Sequence, residues 1–148
     1  MRIFSLAIIL AAAIAVQVGM AGDAQQANLQ VTKTHSGLDS LVTLTHSGEP
    51  TLAYFYYSVA CSCQAAQCGV ASAVIDSIPE ITKAGGKLHY IAIDAYNEDA
   101  AESLYNIESV PAIIGFDSDG KEVGRLEWFI DTNMLDKLIV RTKLLSNK

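Results

Sequence analysis

Apolar and polar positions along this chain change period several times, and each change marks an element. After a polar stretch, LQVTKT at residues 29–34 alternates weakly, the period of a strand. Ser36, with an acidic residue at Asp39 three positions on, reads as a helix N-cap, and Leu38, Leu41, Val42 and Leu44 form one apolar face behind it. Gly48 and Pro50 end that helix. TLAYFYY at residues 51–57 is an unbroken apolar and aromatic run, the pattern of a strand covered on both faces. From 63 to 78 the composition turns Ala-rich, and Ala66, Val70, Val74 and Ile78 recur at helical spacing. Gly69 weakens this helix by about 1 kcal/mol relative to Ala, which a segment of this length absorbs. Pro79, lacking an amide donor, ends it.

Gly85 and Gly86 mark a turn, and KLHYIAID at 87–94 is the next buried strand. A short helix is predicted over 98–105 with Asn97 as its cap. Ser109, Val110 and Pro111 then lead into a strand, AIIGF, at 112–116. DSDG at 117–120 supplies a tight hairpin turn, EVGRLEW at 122–128 pairs back antiparallel, and Leu135, Leu138, Ile139 and Thr142 line one side of a closing helix over 132–145. The order is βαβαβαββα. Parallel strands joined by helices cross over on the right-handed side and the final hairpin adds an antiparallel edge, so the pattern predicts an α/β fold: a three-layer α/β/α sandwich around a mixed central sheet.

Composition narrows the setting. With 148 residues, 51% hydrophobic and 18% charged, the chain suits one globular domain, here residues 29–148. Its formal charge of -6, without any run of Lys or Arg, repels a phosphate backbone and argues against nucleic acid as a partner. At the N-terminus Arg2 precedes a nearly unbroken apolar stretch over residues 3–18 and a group of small residues, the layout of a secretory signal covering residues 1–21, with cleavage possible as late as Ala24. An uncleaved membrane anchor is the competing reading of the same stretch, being close to the roughly 20 residues a span needs. Cleavage would leave a periplasmic or secreted protein with no stable membrane insertion.

Export changes what the cysteines mean. All 3 lie in SVACSCQAAQC, as Cys61, Cys63 and Cys68. In an oxidising compartment thiols pair, bind metal or do redox work, and an odd number leaves one unpaired within the chain. Cys61 and Cys63 sit where a strand hands over to a helix, whose N-terminal amides and dipole stabilise a thiolate. Two cysteines separated by one residue close a small, strained ring, and strain makes such a bond easy to give away. In a regular helix Cys68 stands about 7.5 Å from Cys63 and about 10 Å from Cys61, beyond the roughly 6.8 Å that a disulfide spans between alpha carbons. It becomes an alternative partner only if the segment is looped and the helix starts near Gly69. Three thiolates also suit Cu(I) or Zn(II), so a metal site at Cys61, Cys63 and Cys68 stays open. His35, His46 and His89 are distant in sequence from the cluster, and the aromatic residues 54–57 and Trp128 read as packing residues.

The second half carries a more specific pattern. IDAYNEDAAESLYNIESVPAIIGFDSDGKEVGRLEWF resembles the thioredoxin superfamily: a strand ending in Asp, a short helix before SVP, a strand, a DG turn and a GKEVGRL strand. The resemblance spans residues 29–145. It implies a thiol-disulfide oxidoreductase without an organic cofactor, with protein thiols or disulfides as substrates and a second redox protein as electron partner. It also implies that Pro111 is preceded by a cis peptide bond, and that Val110 and Pro111 hold an extended substrate beside the reactive sulfurs. The chain departs from the family in two places. No C-x-x-C is present, and Tyr54 stands where thioredoxins carry a buried Asp. Three functions are consistent with these residues: disulfide exchange through Cys61 and Cys63, copper or zinc carriage, and non-catalytic binding.

Overall fold

A computed structural model describes residues 36–82 and 87–146. The predicted strand at 29–34, the signal segment and the turn at Gly85 and Gly86 lie outside the described residues. The described elements belong to one compact unit, Lys33–Lys148.

The chain runs through α1 (Gly37–Thr45), β1 (Thr51–Tyr56), α2 (Ser62–Asp76), α3 (Pro79–Thr82), β2 (His89–Asp94), α4 (Ala100–Tyr105), β3 (Ala112–Phe116), β4 (Glu122–Glu127) and α5 (Thr132–Leu145). The strands form one sheet in the order β2-β1-β3-β4. β1 pairs parallel with β2, from Thr51 opposite His89 to Tyr56 opposite Asp94. β3 runs antiparallel to both neighbours, with Ala112 opposite Phe55 on one side and Glu127 on the other. This is the mixed sheet that the sequence pattern predicts.

Side-chain alternation along β1 divides the interior into two cores. Ala53 and Phe55 point to one face, where they pack with Leu41 of α1, Ala101 of α4, Ile93, Ile114 and Phe116. Leu52 and Tyr54 point to the other, against Ala71 and Ile75 of α2 and Leu135, Leu138 and Ile139 of α5. Helices thus cover both faces, completing the three layers. At Gly115 a β-carbon would collide with Thr142 Oγ1 and approach Leu138 Cδ1 to 3.1 Å, so the missing side chain lets α5 lie directly on β3.

Several boundaries differ from the sequence expectation for local reasons. Ser36 caps α1 as expected, its Oγ accepting from the Asp39 amide at 3.1 Å. α2 begins at Ser62, one residue earlier than its apolar periodicity suggests, with Cys61 as N-cap. Pro79 does not merely stop a helix but occupies the first position of α3, where its missing amide costs nothing. Asn97 does not cap α4; Asp99 does, while the Asn97 side chain donates to Asp94 Oδ2 and sits 3.4 Å from Ser58 Oγ. Glu98 is not the first residue of α4 either. It accepts from the amides of Gly37 and Leu38 at 2.8 and 2.9 Å, satisfying the free N-terminal donors of α1.

Candidate functional site

Parallel pairing puts the C-terminal ends of β1 and β2 at one end of the sheet, and antiparallel pairing brings the start of β3 and the finish of β4 to the same end. Residues 57–61, which lead from β1 into α2, therefore emerge beside residues 109–111 and 128–131. The cysteine pair stands there.

Cys61 holds the N-cap position of α2 with φ -64° and ψ 161°, and no side-chain capping bond of the usual hydroxyl kind. Its Sγ lies 2.8 Å from Cys63 Sγ and 3.4 Å from Gln64 Oε1. Both cysteines are exposed free thiols. The hydrogen bond from Cys63, aided by the backbone amide of Gln64, lowers the pKa of Cys61, and the same bond raises that of Cys63, which must give up the shared proton to ionise. The geometry thus favours ionisation of Cys61 over Cys63, at a helix terminus that favours negative charge.

Cys68 is separate. α2 is continuous from Ser62, so the looped course that would make Cys68 an alternative disulfide partner is not taken, and the helical rise of about 1.5 Å per residue keeps its backbone out of range. The side chain is buried at 8% exposure. Nor do the three thiols converge: among the described residues no group of three His, Cys, Asp or Glu side chains is placed to hold a metal ion.

Beneath the helix, Tyr54 donates its hydroxyl to the Cys68 carbonyl at 3.1 Å and lies 3.3 Å from Ser72 Oγ. Burial pushes its phenol up to about 12. Tyr54 is therefore a pin holding α2 on the sheet, and its proton stays on near neutral pH.

The Val110–Pro111 peptide bond is cis. Val110 is 2% exposed and Pro111 is also fully buried, so both residues are packed into the core at this end of the sheet. The Pro111 carbonyl accepts from the Trp128 amide at 2.8 Å, tying the end of β4 to this loop.

Two features at this end were not anticipated from the sequence. Asp94, the last residue of β2, accepts from the Ser58 amide at 3.0 Å and the Tyr96 amide at 3.2 Å through Oδ1. Partial burial pushes its carboxyl up, but hydrogen bonds from Ser58, Asn97 and Tyr96 outweigh this and hold it below the usual value. It fastens the loop three residues ahead of Cys61. The signal available was the Asp at a strand end followed by Asn97, an arrangement suited to side-chain-to-backbone turns. The second is Trp128, expected to pack on the last strand. It lies past the end of β4 in the left-handed region, φ 63°, and is 41% exposed beside Phe129 at 60%. Its place on the predicted last strand suggested packing; the chain reversal into α5 turns it outward.

Comparison with solved structures places this architecture. The chain is similar to a thioredoxin from Malassezia sympodialis, at TM-score 0.55 and 15% identity over 73% of this chain and 87% of that one. It is similar to thioredoxin O2 of Arabidopsis thaliana in its oxidised state, at TM-score 0.53 and 18% identity over 75% and 90% of the two chains. A mutant thioredoxin from Halobacterium salinarum gives TM-score 0.52 and 23% identity over 68% and 80%. The fold is thioredoxin-like. No family model matches the sequence, and no curated protein matches it.

Proposed function

We propose that the protein is an exported thiol-disulfide oxidoreductase, working in a periplasm or outside the cell on protein thiols and disulfides. The observation that carries this reading is the exposed Cys61 and Cys63 pair, sulfurs 2.8 Å apart, at the N-terminus of α2 on a thioredoxin-like fold. Cys61 is the attacking thiolate. Its sulfur bonds to one sulfur of a substrate disulfide, the substrate bond breaks, and the other substrate sulfur leaves as thiolate.

Cys63 then resolves the mixed disulfide. While Cys61 is anionic it holds the Cys63 proton; once Cys61 is covalently bonded, that anion is gone and Cys63 ionises more readily. Attack by Cys63 on Cys61 closes the pair and frees the second substrate thiol. Two electrons have passed to the substrate. The proton given up by Cys63 goes to the departing thiolate or to water, since Tyr54 occupies the place of the family's buried acid and does not accept one. In the oxidising direction the same steps run backwards. The Val110 and Pro111 backbone holds an extended substrate segment across the end of β3, and a second thiol protein restores the pair.

The test is disulfide turnover and peptide mass spectrometry on the protein and its single Cys→Ser variants. Loss of turnover in Cys61→Ser and Cys63→Ser, retention in Cys68→Ser, and a Cys61–Cys63 linkage in the oxidised protein are expected. Stoichiometric Cu(I) or Zn(II) binding that needs all three cysteines, without turnover, would replace this reading with that of a metal carrier.

A further inference from the structure

Charge is divided unevenly between the two ends of the sheet. The thiol end is built from residues 36–40, 57–68, 94–111 and 127–131, which contain no Lys, Arg or His. They contain Asp39, Asp94, Glu98, Asp99, Glu102 and Glu108, and Glu127 and Asp131 stand where β4 gives way to α5. Among the described residues, one cation approaches: Arg125 of β4, its guanidinium already shared between Glu122 and Glu127. The other described cations lie elsewhere. Lys87 precedes β2 at its starting end, Lys121 follows the β3–β4 turn, and Lys137, Arg141 and Lys143 lie along α5 as it runs toward Ser146, which meets Ser118 of that turn.

Several of the carboxylates at the thiol end are held by neutral donors: Asp94 by Ser58 and Tyr96, Glu98 by the α1 amides, Glu102 by the Tyr57 hydroxyl, Asp131 by the Met134 amide. Such bonds satisfy the carboxylate oxygens without cancelling their charge. Asp99 and Glu108 are exposed. An independent feature lies at the same end. Val59 at 60%, Tyr96 at 55%, Trp128 at 41% and Phe129 at 60% leave apolar and aromatic surface in solvent around the loops that carry the thiols and the cis-proline. Lys and Arg combine the two requirements, because their stems and charged heads lie well on aromatic faces while the heads pair with nearby carboxylates.

We propose that the partner served by Cys61 and Cys63 is a basic polypeptide, its disulfide flanked by Lys or Arg side chains that settle on these aromatics and face the carboxylates. The inference rests on the thiol-disulfide reading above and names its substrate class. An anionic disulfide meets repulsion at the same end. The exchange is the one already described, with two electrons passing from the Cys61 and Cys63 thiols to the partner's disulfide and their protons reaching the two partner sulfurs through water.

The experiment uses the reduced protein, purified as cells accumulate it, and peptides of one length that differ only in carrying Lys, Ser or Glu beside an intramolecular disulfide. Rates of protein thiol loss are read by quenched alkylation and mass spectrometry, and each is divided by the rate for free dithiothreitol with the same peptide. The Lys peptide is expected to exceed the Glu peptide by at least about tenfold at about 10 mM salt, converging to within about twofold at about 500 mM. In the Asp99→Asn, Glu108→Gln double variant the low-salt ratio should fall by about threefold. If all three peptides react with equal normalised rates at low salt, the basic-partner inference fails and the redox reading stands. If none oxidises the protein while dithiothreitol reacts normally, the redox reading fails and the inference goes with it.

Discussion

Cys61 and Cys63 carry the same side chain and hold their protons with opposite strength, because the hydrogen between them can stabilise only one anion at a time. Cys63→Ala removes that donor, so the pH midpoint for alkylation of Cys61 should move up toward the ordinary thiol value of about 8.5. Iodoacetamide rates across pH, assigned to the Cys61 peptide, check this. An unmoved midpoint would mean that the helix amides alone set the value. Tyr54 makes a contrasting case. Tyr54→Phe deletes its bonds to the Cys68 carbonyl and Ser72 and should cost about 1 kcal/mol of stability in urea titrations, while leaving the Cys61 midpoint in place. A large change in that midpoint would show that the phenol takes part in the proton chemistry after all. Residue identity alone showed that three thiols cluster; which of them is activated depends on Cys61 being the N-cap and on where Cys63 points, and neither follows from spacing.

At the scale of elements, the loop from β1 to α2 is short and irregular, and its course is set from outside by β2. Asp94 supplies the anchor through Ser58. Because the folded protein holds this carboxyl below its usual pKa, its contribution is fully present above the unfolded value of about 3.9 and is lost as pH falls through the lower folded value. Asp94→Asn should therefore be less stable than the parent at about pH 7, with the gap closing in acid; hydrogen exchange at the Ser58 amide should quicken as well. A gap independent of pH would remove the carboxylate charge from the account. α5 shows a different dependence on one position. Gly115→Ala places a methyl group against Thr142 and Leu138 where no space exists, and a loss of about 1–3 kcal/mol is expected from denaturant midpoints. The helices and strands were legible because their apolar periods are strong, as in TLAYFYY and the closing helix. Asn97 and Glu98 were misread because both side chains serve neighbouring segments, α1 and the cysteine loop, rather than the helix they precede.

The whole molecule divides its labour between two cores and two ends. One core locks α1 and α4 to the sheet and the other locks α2 and α5, so the sheet end where β1 passes into α2 is framed from both faces. That architecture, and the pairing of a cysteine cluster with a Val-Pro loop, could be read from the order of elements and from SVP in its context. The outward turn of Trp128 and Phe129 could not, because hydrophobic residues at a strand's end are buried or exposed according to the path of the next connection. Trp128 is the chain's single tryptophan, and its amide is tied to the Pro111 carbonyl. All indole fluorescence from this protein therefore originates where a visiting polypeptide is expected to settle. With excitation beyond the tyrosine absorption band, a shift in its emission maximum can report docking in real time and without a label.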